Sequence, residues 1–255
     1  MNDTFSPSEY PSLPPQPACV EVRLPQTTPF VTYGLIAITV FFYLLQIASR
    51  FLLGGDIIAY YGAKDAFFIR LGQYWRLITP LFLHVSPAHI AFNMYALARF
   101  GSGLEGRFGH GRFAWLYFAS GFAGNVLSLL LTPAISLGAS TAIFGLLAAE
   151  GVFLYQNRSL LRQYAAQALG NILFLAAINL LLGFSSRGID NWGHVGGLAG
   201  GLLFTWFGGP RWKVEGNYPS LFLVDERQGH GTWRGLVAVL LVFGPLAALA
   251  LFGGR

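Results

Sequence analysis

From Phe113 to Asn157 the chain carries a single charged side chain, Glu150. A helix rises 1.5 Å per residue, so about 20 residues cross the roughly 30 Å of hydrocarbon in a bilayer. The run is too long for one crossing. Thr132-Pro133 and Gly138 divide it, since proline and glycine punctuate helices, and the division predicts spans at 113–131 and 140–156. The same reading gives further spans at 30–49, 87–104, 167–184, 191–208 and 234–252.

Charged residues make up 11% of the chain and hydrophobic residues 54%. A soluble domain carries about 25% charge because water must solvate its surface, so most of this surface faces lipid. The expected fold is an all-α polytopic membrane protein with six core helices and a seventh at the C-terminus. The net charge of +5 is scattered singly between apolar runs, without the dense basic stretch that tracks phosphates, and this excludes a nucleic-acid partner. The single cysteine, Cys19, excludes an intramolecular disulfide and makes a thiolate metal site implausible.

Residues 1–29 are Pro-rich and polar, with no basic region followed by an apolar one. They are expected to form a disordered cytosolic tail rather than a cleavable signal. Residues 30–208 form the expected six-span core, 209–233 a cytosolic linker and 234–255 the seventh helix. With the N-terminus inside, the inner segments hold Arg23, Arg99, Arg107, Arg112, Arg158, Arg162, Arg211, Lys213, Arg227 and Arg234. The short outer segments hold Arg187 and Arg255, and the long first loop adds Arg50, Lys64, Arg70 and Arg76. The excess of basic residues inside predicts that orientation, in a cell membrane.

Spans two, four and six then run inward from the outer face, and each opens on polar residues. His89 and Asn93 stand at the start of the second, Ser140 of the fourth and His194 of the sixth. Ser140 is about 27 Å from Arg158 along a helix, hence just below the outer surface, and His194 is about 6 Å deeper than Asp190. Polar groups are costly in a bilayer and usually mark function. A serine beside a histidine is the minimum for nucleophilic acyl transfer, because the imidazole must take the hydroxyl proton.

Structural alternatives stand beside this reading. Ser140 alone suits a helix cap, and His194, His89 and Asn93 suit interhelical hydrogen bonding. Asp190 is expected to cap the sixth span, with a catalytic triad as the less favoured alternative. His84 near His89 is conceivable as a metal pair, but no glutamate completes an HExxH arrangement, so His84 is expected to be a structural loop group and neither metal nor cofactor is expected. Glu105 is expected to tie the first loop to the second span through Arg107 or Arg76. Gly193, Gly197 and Gly201, widened by Gly196 and Gly200, form a small-residue ridge that lets helices approach closely.

These residues resemble the rhomboid family of intramembrane serine proteases. Gly138-Ala139-Ser140 is similar to its GxS nucleophile segment, and His89 through Asn93 to its HxxxN pair. Trp75-Arg76 resembles the pair in the family's membrane-embedded first loop. Gly101, Glu105 and Gly109 resemble its motif closing the second span, and His194 with Gly197 its catalytic helix. The resemblance covers about residues 30–208, in order. It implies a Ser140–His194 dyad, with the Ser140 N–H, Asn93 and His89 holding the oxyanion. Gly138, Phe144, Gly197, Trp75 and Arg76 would support it, Phe144 by packing on the His194 ring. The implied substrates are single-pass or other membrane-anchored proteins in the lipid bilayer. Two other functions compete with this one. A catalytically silent relative is disfavoured because Ser140 and His194 are both present, and a transporter would need more ionisable groups than Glu150 in the inner halves of the spans. Thr141 departs from the glycine common after the nucleophile, and its bulk is expected to narrow the site or shift substrate choice.

Overall fold

The computed structural model describes residues 24, 26–185 and 188–253. The expected tail falls outside the described residues up to Arg23, as do Arg187 and Arg255. The protein is an integral, multi-pass membrane protein built from helices. Four of them are long and apolar enough to cross a bilayer: α1 (Phe30–Leu53), α6 (His110–Leu131), the Tyr164–Ser185 part of α8 (Arg158–Ser185) and α10 (Gly231–Phe252). Large apolar side chains such as Phe41, Leu44, Phe174, Leu181 and Leu241 stand exposed along α1, α8 and α10. Water would not tolerate such faces, and lipid does.

The expected fourth and sixth spans are α7 (Ser140–Gln156) and α9 (Asn191–Gly208). The second is interrupted. Helix α4 (Pro87–Ala96) passes through a π turn at Leu97–Gly101 into α5 (Ser102–Phe108), ending four residues beyond the expected boundary. Helix α8 breaks at Arg162, where φ is 47°, so its membrane segment starts after the break.

Helices α6, α7 and α9 form the centre, and the glycine ridge explains how. A Cβ at Gly197 would strike the Thr141 carbonyl, and one at Gly201 would strike that of Gly145, so this edge lies directly on α7. Gly196 and Gly200 form the other edge, where added Cβ atoms would meet the Ala123 oxygen at 2.7 Å and the Ala123 Cβ at 2.5 Å on α6. Helix α9 is thus wedged between both neighbours at backbone distance. Small residues permit that approach, and dispersion then holds it.

The first loop is folded rather than irregular. It contains two short helices, α2 (Ile57–Gly62) and α3 (Ala66–Arg70), and two 3₁₀ turns at Tyr74–Leu77 and Thr79–Phe82. Arg76, only 1% exposed, donates to Gln73 Oε1, the Ala63 carbonyl and the Tyr60 carbonyl, and lies over the Phe68 ring. Glu105 does not bond Arg107 or Arg76 as expected. Its carboxylate accepts from the Val31 and Thr32 amides, the Thr32 hydroxyl and His110 Nδ1, so it fastens α5 to the start of α1. Arg107 pairs instead with Glu150.

The segment expected as a plain linker contains an antiparallel hairpin, β1 (Trp212–Asn217) with β2 (Ser220–Asp225). It docks on the core through the Trp212 side chain, the pairing of Asp225 with Arg112 at 2.8 Å and the Trp212 amide, which donates to Asn157 Oδ1.

Candidate active site

Helix α7 starts at Ser140 itself, after Ala139, so the serine is the first helical residue rather than the cap. Its backbone is fixed from the preceding loop. The Gly138 amide donates to the Pro80 carbonyl at 2.9 Å, and the Ala139 amide approaches His84 Nε2 at 3.4 Å. Gly138 has a φ of +141°, and a Cβ there would come within 2.9 Å of the His89 ring. Glycine is needed on both counts.

His194 stands one turn into α9. Asp190 caps this helix, its carboxylate accepting the Gly193 amide at 3.0 Å. The Asp190 carboxylate also accepts from the Ser128 and Thr132 hydroxyls. His194 Nε2 lies 2.9 Å from Ser140 Oγ, and its ring stacks on Phe144. Nδ1 has no hydrogen-bond partner among the described residues. Asp190 therefore caps α9, and among the described residues its carboxylate makes no hydrogen bond to the His194 ring.

Ser140, His194, His89 and Asn93 all line one open cleft of about 1610 Å³. The cleft runs between α4 and α5 on one side and α7 and α8 on the other, as lining residues Tyr95, Arg107, Leu147 and Ile172 show. The cleft thus brings together the four residues that the depth argument set at one level. Asn93 is not bonded to Ser140 or His194; its amide donates to the His89 carbonyl of its own helix at 2.9 Å. Gly197 acts through packing on α7. Trp75 and Arg76 do not line the cleft: Trp75 donates to the Tyr61 carbonyl, and both organise the first loop.

Two further residues support the site, His84 as the structural group expected of it and Lys64 without any such expectation. His84 is fully buried, packs edge-on against His89 and meets the Ala139 amide, so it supports the segment before Ser140. Lys64, also fully buried, donates to Ser128 Oγ at 2.9 Å and to the Thr132 carbonyl at 3.0 Å. Its charge therefore meets Asp190 through a shared hydroxyl. In sequence the only signal is a lone lysine within an aromatic loop. Among the described residues no group of three acidic, cysteine or histidine side chains is arranged to hold a metal ion.

Chemically, an imidazole nitrogen at this distance from a hydroxyl can take its proton as the oxygen attacks a carbonyl. The first-turn N–H groups of α7, which lack intrahelical partners, can face a developing negative charge.

Residues 71–211 match the family model of the rhomboid domain. The chain is 41% identical over 176 residues to "Rhomboid protease GluP" of Bacillus subtilis, covering 69% of this chain and 34% of that protein. It is 43% identical over 189 residues to "RHOMBOID-like protein 2" of Arabidopsis thaliana, covering 72% and 59%. With "Rhomboid-like protease 1" of Toxoplasma gondii the identity is 36% over 151 residues, covering 58% and 51%. This chain therefore spans less than two thirds of the length of these curated relatives.

Proposed function

The chain belongs to the rhomboid family, and from that membership we propose that it is an intramembrane serine endopeptidase with Ser140 as nucleophile and His194 as general base. The observation that carries the reading is the 2.9 Å approach of His194 Nε2 to Ser140 Oγ in an open cleft. Ser140 Oγ attacks the peptide carbonyl as His194 takes its proton, and His194 then returns the proton to the leaving amine. The oxyanion is held by the Ser140 N–H, the Asn93 amide and His89. Water deacylates the enzyme through the same cleft, which a hydrolase in lipid requires.

The substrates are membrane-anchored proteins cut in or near a transmembrane segment. The N-terminus faces the cytosol in a cell membrane, so the dyad opens toward the outer side. Two of the outer basic residues are buried and bonded, Lys64 to Ser128 and Thr132 at the end of α6 and Arg76 within the first loop. A third, Arg50, is paired with Asp56. Their engagement supports the inside excess.

The test is co-expression of single-pass reporters with wild type, Ser140→Ala and His194→Ala. Cleavage by wild type alone is expected. Equal, uncleaved reporter in all three, across a panel, would overturn the reading. Cysteine-accessibility labelling at the two chain ends and membrane fractionation test the orientation and location.

A further inference from the structure

At the end of the molecule opposite Ser140, the charges do not balance. Four arginines meet where the hairpin docks beside the start of α10: Arg112, Arg211, Arg227 and Arg234. The local carboxylates are already engaged, Asp225 with Arg112 at 2.8 Å and Glu226 with Arg211 at 3.3 Å. Among the described residues the Arg227 guanidinium finds neutral acceptors only. Its Nη1 donates to Gln156 Oε1 at 3.0 Å and the Gly209 carbonyl at 3.1 Å, with the Thr205 carbonyl at 3.5 Å. No bond engages Arg227 Nε or Nη2 among the described residues. Arg234 is exposed, with no ionic partner among the described residues. Burial lowers the pKa of Arg227, and the like charges of Arg211, Arg112 and Arg234 lower it further against the opposing Asp225 carboxylate.

Beneath this cationic pair lies an apolar groove between α9 and α10. Arg227 and Arg234 stand at its rim with Trp233, and its walls are Leu203, Phe207, Val237, Ala238, Leu241 and Val242. The spacing is regular. Positions 234, 237, 238, 241 and 242 recur at i, i+3, i+4, i+7 and i+8, one stripe of a helix, and 203 and 207 are i, i+4 on α9. Leu241 is about 10 Å deeper than Arg234 by helical rise. The groove exists because α9 and α10 touch closely at one edge, where a Cβ on Gly235 would meet the Phe204 carbonyl at 2.7 Å. Beyond that contact the larger side chains hold the helices apart. Trp233 is 68% exposed, as befits an aromatic at a membrane–water interface.

We propose that this groove is a binding site for one anionic glycerophospholipid, its phosphate on Arg227 and Arg234 and an acyl chain along the α9–α10 stripe. Charge complementarity selects the occupant. A zwitterionic headgroup returns a positive charge to a site already in cationic surplus, and an anionic one offsets it. Bidentate guanidinium–phosphate geometry favours arginine at such a site. Basic pockets between membrane helices on the cytoplasmic side hold such lipids in general. The site does not depend on the protease reading, since none of its residues lines the Ser140 cleft.

The test uses the full chain in neutral detergent, read by native mass spectrometry and by thermal midpoint. Dioleoyl phosphatidylglycerol is compared with dioleoyl phosphatidylcholine, with inorganic phosphate, and with the variants Arg234→Gln, Arg227→Gln and Lys213→Gln. Lys213 lies on β1 outside the groove, so its variant removes the same charge without touching the site. One phosphatidylglycerol is expected to remain bound and raise the midpoint, with weaker retention of phosphatidylcholine and no effect of inorganic phosphate. Retention should fall about fivefold for Arg234→Gln, with no change for Lys213→Gln. Arg234 makes no bond that folding requires, so it decides the matter even where Arg227→Gln fails to fold. Equal retention of the two lipids, equal stabilisation by inorganic phosphate, or an equal loss in Lys213→Gln would each overturn the proposal.

Discussion

The His194 imidazole lies flat against the Phe144 ring, with centroids 4.2 Å apart and planes 11° from parallel. Phe144 stands one turn after Ser140, so a single helix supplies both the proposed nucleophile and the surface that orients its proposed base. An aromatic contact of this kind contributes about 0.5–1.5 kcal/mol beyond its buried area. Phe144→Ala should therefore lower kcat about two- to tenfold with KM nearly constant, and Phe144→Tyr should retain most activity. An unchanged kcat in purified Phe144→Ala would remove the ring from the mechanism.

Among the described residues the Asn93 side chain makes one hydrogen bond, to the His89 carbonyl of its own helix, and its loss should leave the fold intact. Removing an oxyanion donor costs about a hundredfold or more in kcat in comparable sites. Asn93→Ala should show that loss at an unchanged thermal midpoint. Full activity would mean that the amide plays no part in holding the oxyanion.

The ridge on α9 makes opposite predictions for glycines that look alike in sequence. Gly197→Ala forces a Cβ into the Thr141 backbone, which has no side chain to move aside. It should lower stability by about 2–3 kcal/mol, within the range for overpacking. At Gly34 and Gly170 a Cβ meets nothing within 4 Å, and alanine there should be neutral or stabilising by up to about 1 kcal/mol. Thermal midpoints of the three variants separate the cases. Equal midpoints would contradict the backbone contact.

Lys64 and Asp190 meet on Ser128, which accepts from one and donates to the other. Breaking a buried charge pair by removing one partner costs about 3–5 kcal/mol, whereas removing both can be nearly neutral. Lys64→Met and Asp190→Asn should each destabilise, and the double variant should be less damaged than the sum. Asparagine still caps a helix, so the cycle isolates charge from capping. Strict additivity would show that the two residues are independent.

The spans were legible in the sequence because lipid imposes a length and an apolar composition that few other environments demand. The boundaries of α7 and α9 follow directly, since Gly138 and Asp190 mark their starts. The convergence of Ser140, His194, His89 and Asn93 was legible for a related reason: alternate spans run in one direction, so polar residues at their starts share a depth. What escaped was specific pairing. Nothing in one dimension tells Glu105 to choose Thr32 and His110 over Arg107, because that choice depends on how α1 meets α5. The docked hairpin escaped too, being anchored by Arg112 and Asn157, residues far from it in the chain.

Thr141 is the residue for which sequence and structure suggest different outcomes. Beside the nucleophile, its bulk reads as a restriction on substrate. In the fold it is 6% exposed at the edge of the cleft, with its side chain turned toward glycines of neighbouring helices. A Cβ on Gly124 would meet Thr141 Cβ at 2.7 Å, and one on Gly193 would meet Cγ2 at 3.0 Å. The threonine thus fills a niche that those glycines open between α6, α7 and α9. Its hydroxyl is buried with no hydrogen-bond partner among the described residues, an unfavourable state that a methyl group would relieve. Thr141→Val should therefore hold or raise the thermal midpoint. Thr141→Gly should lose about 1–3 kcal/mol through the cavity and the poorer helix former. Neither variant should reorder cleavage across a reporter panel. A changed order in Thr141→Gly, at matched folded fraction, would restore substrate selection to this side chain.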